Sequence, residues 1–113
     1  MLKREYRLTN PASFKSVYQK GKSLAGRYVV LYYKKNHLGK NRYGFVVSKK
    51  IGKAVVRNRI KRLLREVCRQ KEKSQLQKGY DLIFIARGKI KGISYSLVEQ
   101  EIDNICRKAG LFK

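Results

Sequence analysis

The amino-acid sequence predicts a small α+β domain in which helices pack on a mixed β-sheet. Short runs of β-branched and aromatic residues are bounded by turn residues, stretches with apolar residues three and four apart lie between them, and the chain is too short for a second core. All 113 residues, 1–113, are expected to form one domain, since no internal repeat or low-complexity linker divides them. Hydrophobic residues make up 42%, enough for a small core and too many for a disordered basic tail.

Asn10-Pro11 starts the first helix, because Asn suits the cap and Pro the first helical position, and Gly21 ends it. Phe14, Val17 and Tyr18 share one face of that helix. Arg27 to Lys35 (R-Y-V-V-L-Y-Y-K-K) and Arg42 to Ser48 (R-Y-G-F-V-V-S) are strands by composition, joined by the polar loop N-H-L-G-K-N and expected to pair antiparallel. A second helix runs from about Val55 into the early seventies. A polar stretch to Gly79 and a strand Tyr80 to Arg87 (Y-D-L-I-F-I-A-R) follow. After a turn from Gly88 to Gly92, Ser96 and Glu99 read as the capping box of a last helix whose buried stripe is Val98, Ile102, Ile105 and Ala109, closed by Gly110.

The strands are apolar on both faces: Val29, Leu31 and Tyr33 point one way, and Tyr28, Val30 and Tyr32 the other. Two long helices can cover one face. The short first helix covers the second only in part, which leaves a groove walled by aromatic side chains. Aromatics beside lysines and arginines suit single-stranded nucleic acid, whose bases stack while cations follow the backbone. The plainer alternative is that the same Phe and Tyr residues simply pack on the sheet.

Residues 54 to 65 read A-V-V-R-N-R-I-K-R-L-L-R. On a helical wheel Val56, Ile60, Leu63, Leu64 and Val67 form one stripe, while Arg57, Asn58, Lys61, Arg62, Arg65 and Arg69 fill the rest. Arg59 falls on the opposite flank from Arg57, so the two do not meet the same phosphates and one of them is free for a structural task. Over the whole chain, 29 Lys and Arg face 7 Asp and Glu, a formal net charge of +22. No carboxylate occurs between Tyr6 and Arg65, so internal salt bridges cannot neutralise that stretch from within and a polyanion must answer it.

Catalytic candidates are scarce. The chain has one histidine, His37, in a polar loop, no phosphate-binding glycine loop and no metal-ligand cluster to hold Mg²⁺. Asp81 is an isolated acid opening an apolar strand, and Glu66 sits where an intrahelical ion pair explains it. Cys68 and Cys106 are too far apart for a C-x-x-C motif and, with a single His, too few for a zinc site, so both read as small buried hydrophobes kept reduced. The opening M-L-K-R-E-Y-R-L lacks an apolar signal region, and no apolar run reaches the ~18 residues of a membrane span. The expectation is a soluble cytoplasmic protein with no membrane association, no protein catalytic residue and no protein-bound metal.

The run S-K-K-I-G-K-A-V-V-R-N-R-I-K-R-L-L-R-E, Ser48 to Glu66, resembles the signature of the bacterial ribonuclease P protein component, with R-N-R at Arg57, Asn58 and Arg59. K-R-E-Y-R-L-T-N-P-A-S-F-K-S-V-Y-Q-K-G, R-Y-V-V-L-Y and Y-D-L-I-F-I-A-R resemble other parts of that family, and Tyr18 stands where the family often carries Phe. The resemblance implies the protein subunit of a ribonucleoprotein endoribonuclease that removes the 5′ leader of precursor tRNA. Its RNA subunit is the catalyst and uses Mg²⁺. For this chain it implies RNA-subunit contacts from Lys49, Lys50, Lys53, Arg57, Asn58, Arg59, Lys61, Arg62, Arg65 and Arg69, and leader contacts from Phe14, Tyr18 and Tyr32. It further implies a fold like ribosomal protein S5 domain 2, with a left-handed βαβ crossover where the general rule favours the right hand, and a monomer bound one to one with ribonuclease P RNA. Two other classes fit the charge: a ribosomal or other structural RNA-binding protein, which would lack the R-N-R signature, and a self-sufficient nuclease, which the poverty of carboxylates opposes.

Overall fold

The computed structural model describes residues 6–73 and 76–113. The first residues of the K-R-E-Y-R-L segment, and residues 74–75 of the polar stretch, lie outside the described residues. The elements are α1 (Pro11–Lys20), β1 (Lys22–Ala25), β2 (Val29–Lys35), β3 (Arg42–Val46), α2 (Ala54–Glu72), β4 (Tyr80–Ala86) and α3 (Tyr95–Lys108), with 3-10 turns at Lys49–Ile51 and Gly88–Ile90. Asn10 caps α1 by accepting from the Ala12 N–H at 2.8 Å. Gly21 ends that helix through close approach and not through a left-handed turn. Its backbone is extended, and a Cβ there would lie 2.6 Å from both the Val17 and Tyr33 carbonyl oxygens.

The sheet runs β1-β2-β4-β3, with β1–β2 and β2–β4 antiparallel and β3–β4 parallel. The antiparallel pair expected between the second and third strands does not form, because β4 lies between them. Leu82, Ile83 and Phe84 of β4 are all fully buried, so this strand takes a central place with both faces covered. The intervening loop is tied to β4 by its asparagines. Asn36 Nδ2 donates to Asp81 Oδ1 at 2.9 Å, and Asn41 Oδ1 accepts the Tyr80 N–H at 2.9 Å. Loop 36–41 thus bridges the end of β4 where a hairpin turn would have closed beside it. Composition identified the strands but held nothing about their order, and the short β1, mostly exposed, has too little hydrophobic pattern to be read as a strand.

Helices α2 and α3 pack on one face. Ile60, Leu64, Val67 and Cys68 from α2 and Val98, Ile102, Ile105 and Cys106 from α3 meet Val29, Leu31, Tyr43, Leu82, Phe84 and Ala86 from the sheet. Tyr28, which precedes β2, also packs on this side, contrary to the alternation expected of it. Ala109 packs only partly, and Gly110 beyond it takes φ +73°, the left-handed conformation that closes a helix. The start of α3 differs from the expected capping box: Ser94 is the cap, accepting from the Leu97 N–H at 3.4 Å, and Ser96 lies inside the first turn. Glu99 instead approaches Lys71 Nζ on α2 at 3.9 Å. On the other face α1 covers less, with Leu8, Val17 and Ile83 forming a small buried cluster. Among the described residues no helix is long and apolar enough to cross a membrane.

Both cysteines are free and buried, and burial pushes both thiols up, Cys106 to about 12. Beside Cys68 the core holds one polar knot. Tyr43, kept protonated by burial, donates to Glu72 Oε1 at 2.5 Å; Asn41 Nδ2 donates to the same oxygen at 3.0 Å, and Lys78 pairs with the other. These contacts fasten the end of α2 to the start of β3. Removing the carboxylate would strand a phenol and an amide in the core, so Glu72→Ala should cost about 3 kcal/mol in urea unfolding. A loss within ~0.5 kcal/mol, the usual size for an unremarkable surface change, would show that the knot is dispensable.

Candidate nucleic-acid interface

Because α1 is only ten residues long, the half-buried Val30, Val46 and Ile85 are left beside it on the sheet. The aromatic residues picked out in the sequence come together there. Phe14 and Tyr18 on α1 have ring centroids 6.3 Å apart, and Tyr18 meets Tyr32 of β2 edge-on at 5.0 Å. Phe14 and Tyr32 are half-buried against the small cluster, while Tyr18 is 40% exposed. Burial and the neighbouring Tyr32 raise the Tyr18 phenol, so it stays protonated and neutral at physiological pH. Packing and exposure coexist in this row: Phe14 and Tyr32 pack on the cluster while Tyr18 reaches solvent. Gly44, which sequence reading missed, makes the seat. A Cβ at that position would lie 2.5 Å from Phe14 Cζ. A glycine inside an otherwise apolar strand is the signal that could have found it.

The basic helix is placed as its wheel predicts. Ile60, Leu64 and Val67 are buried, Val56 and Leu63 are half-buried against the same core, and Asn58, Arg59 and Arg62 are exposed. Lys61 and Arg65 are partly covered and, among the described residues, make no ion pair. Lys49, Lys50 and Lys53 are exposed just before the helix, where Ser48 accepts the Lys50 N–H at 3.1 Å and Lys53 provides no side-chain cap. Arg57 and Arg59 part company as expected. Arg57 is half-buried and its Nε donates to the Gly52 carbonyl at 3.2 Å, which ties the lysine-bearing turn to α2, whereas Arg59 is exposed. Arg69 is likewise engaged, its guanidinium forking onto Glu66 at 2.7 and 3.1 Å. Those hydrogen bonds, with one from Gln70, hold the Glu66 carboxyl down at about 2.

A model of the family described as Ribonuclease P matches residues 2–110. A "Ribonuclease P protein component" from Caldanaerobacter subterraneus subsp. tengcongensis is 46% identical over 95% of this chain and 91% of its own. The chain belongs to the ribonuclease P protein family. Solved ribonuclease P proteins agree with its fold. One from Staphylococcus aureus superposes with TM-score 0.86 at 34% identity, covering 96% of this chain and 98% of that one. One from Thermotoga maritima superposes with TM-score 0.81 at 33% identity, covering 89% and 96%. Membership makes this the protein component of a tRNA-processing ribonucleoprotein, an RNA-binding subunit.

The electrostatics suit a ribonuclease P protein. Each of the six described carboxylates has a partner within the protein. Asp81 takes a two-point contact from Arg42 at 2.8 and 2.9 Å, Asp103 pairs with Lys71 at 3.0 Å and Arg107 at 3.3 Å, and Glu101 accepts three backbone N–H groups. Glu66, Glu72 and Glu99 are held as described above. Among the described residues no three His, Cys, Asp or Glu side chains gather where they could hold a metal ion, and His37 is an exposed loop residue with φ 61°. Gly44→Ala should force Phe14 off the sheet and cost about 1–3 kcal/mol in urea unfolding. Unchanged stability would mean that the ring gives way freely.

Proposed function

We propose that this chain binds the catalytic RNA of ribonuclease P through α2 and the turn before it, and binds the single-stranded 5′ leader of precursor tRNA along the aromatic row. The observation that carries the leader assignment is the alignment of Phe14, Tyr18 and Tyr32 on the partly uncovered face of the sheet. Bases can stack on such rings, and their phosphates meet a protein with no carboxylate between residues 6 and 65. Lys49, Lys50, Lys53, Asn58, Arg59, Lys61, Arg62 and Arg65 would contact the RNA subunit directly. Arg57 and Arg69, each with an internal hydrogen bond, would shape that surface while adding their charge.

In this reading the RNA does the chemistry with its own Mg²⁺, and the protein acts by differential binding in a complex of one protein with one RNA. A leader contact exists for precursor tRNA and vanishes with cleavage, so substrate is held more tightly than product and product leaves. The cationic helix meanwhile screens repulsion between two RNA molecules at close quarters.

Cleavage of precursor tRNA at low Mg²⁺, measured with RNA alone, protein alone and both, should be efficient only with both; cleavage by the protein alone would refute this division of labour. Phe14→Ala should weaken precursor tRNA binding to the assembled complex roughly tenfold and leave mature tRNA binding unchanged. Equal losses for the two would remove the leader assignment. Arg65→Ala should lower the slope of log affinity for the RNA subunit against log salt by about one, and an unchanged slope would place this arginine away from phosphate.

A further inference from the structure

The flank of α2 that carries Arg59 is walled by the turn after β4. Val56, Ile60 and Leu63 on the helix face Ile90 and Ile93 on that turn across a cleft of about 270 Å³, with Arg59 and Lys91 at its mouth. The turn is fixed before any partner arrives: the Ile90 N–H donates to Arg87 O at 3.0 Å, Lys91 to Gly88 O at 3.3 Å and Ile93 to Ile90 O at 3.1 Å. Gly92 holds φ +78°, which a residue with a Cβ rarely adopts. Val56, Leu63 and Ile93 remain only half-buried, so the cleft is an apolar slot open to solvent beside the basic helix. Among the described residues neither Arg59 nor Lys91 has a carboxylate partner.

We propose that this slot takes one unpaired base of the RNA subunit, with Arg59 and Lys91 on the phosphates either side of it. The proposal rests on the reading that α2 binds RNA. Its occupant follows from the pairing of the two chemistries. A nucleotide turned out of its stack offers a flat, weakly hydrated ring flanked by anions, the complement of aliphatic walls with a cationic mouth. A second copy of this chain would bring like charge to that mouth, and an apolar peptide would leave both cations unanswered. The slot also gives the two signature arginines different work: Arg57 braces the lysine turn, and Arg59 guides a base into place.

The test uses the ribonuclease P RNA of the same genome, with 2′-hydroxyl acylation read at every nucleotide and affinity measured across a salt series. Wild-type protein should change the reactivity of one unpaired nucleotide. Ile93→Ser should abolish that change and weaken binding roughly tenfold while leaving the salt slope intact, because an apolar contact releases no counterions. Ile93→Phe, which keeps the wall apolar but fills the slot, should do the same and covers the case in which the serine variant folds poorly. Arg59→Ala should reduce the slope by about one. Wild-type affinity in both Ile93 variants, or a footprint confined to paired backbone, would overturn the slot assignment while leaving RNA binding by α2 in place. Failure of the wild-type protein to bind this RNA would overturn the RNA reading itself, and the slot with it.

Discussion

The structure depends on where a very small number of carboxylates are placed. A chain of net charge +22 repels itself when compact, and its described acids all sit at junctions between elements or along a helix. Asp81 joins β4 to β3 through Arg42, Glu72 joins α2 to β3 through Tyr43, and Asp103 joins α3 to α2 through Lys71. Each also removes one cation, or one set of buried donors, from the interior ledger of unpaired groups. Lys49, Lys50, Lys53, Arg59 and Arg62 stay exposed on the outside. Cohesion and RNA affinity therefore come from one distribution of charge: acids inward and between elements, bases outward and along α2.

The sheet divides the same labour between its faces. On one side two long helices bury Leu31, Tyr43, Leu82 and Phe84 completely. On the other a three-turn helix covers Ile83 and leaves a ledge on which aromatic rings lie half-exposed. The incomplete cover follows from helix length and from Gly21, whose missing Cβ lets the end of α1 press on β2 and turn back into β1. Stability is concentrated on the closed face, so the open one can keep surface that a stacked base would cover.

Much of this was legible in the sequence because local pattern and tertiary role agree. The stripe Ile60, Leu64 and Val67, the cap at Asn10 and the intrahelical pair of Glu66 all follow from spacing alone. The flanking positions of Arg57 and Arg59 do as well, although the wheel could not say which was braced. What the sequence hid was long-range. Strand order was lost because a polar six-residue loop reads as a hairpin unless one knows that Asn36 and Asn41 reach β4. Ser96 reads as a cap because Glu99 completes the motif, whereas Ser94 takes that place and Glu99 faces Lys71 on another helix. The apolar slot joins residues thirty positions apart and has no local signal at all.

Glu101 carries a last consequence. Its carboxylate sits in the turn between β1 and β2, accepting the N–H groups of Arg27, Tyr28 and Val29 at 2.7 Å each, over a glycine whose Cβ would collide with it. Three successive amides aimed at one point make an anion trap of the kind that elsewhere holds phosphate. By keeping its own carboxylate there, the chain fills the berth from within. A phosphate from outside would find that station already taken.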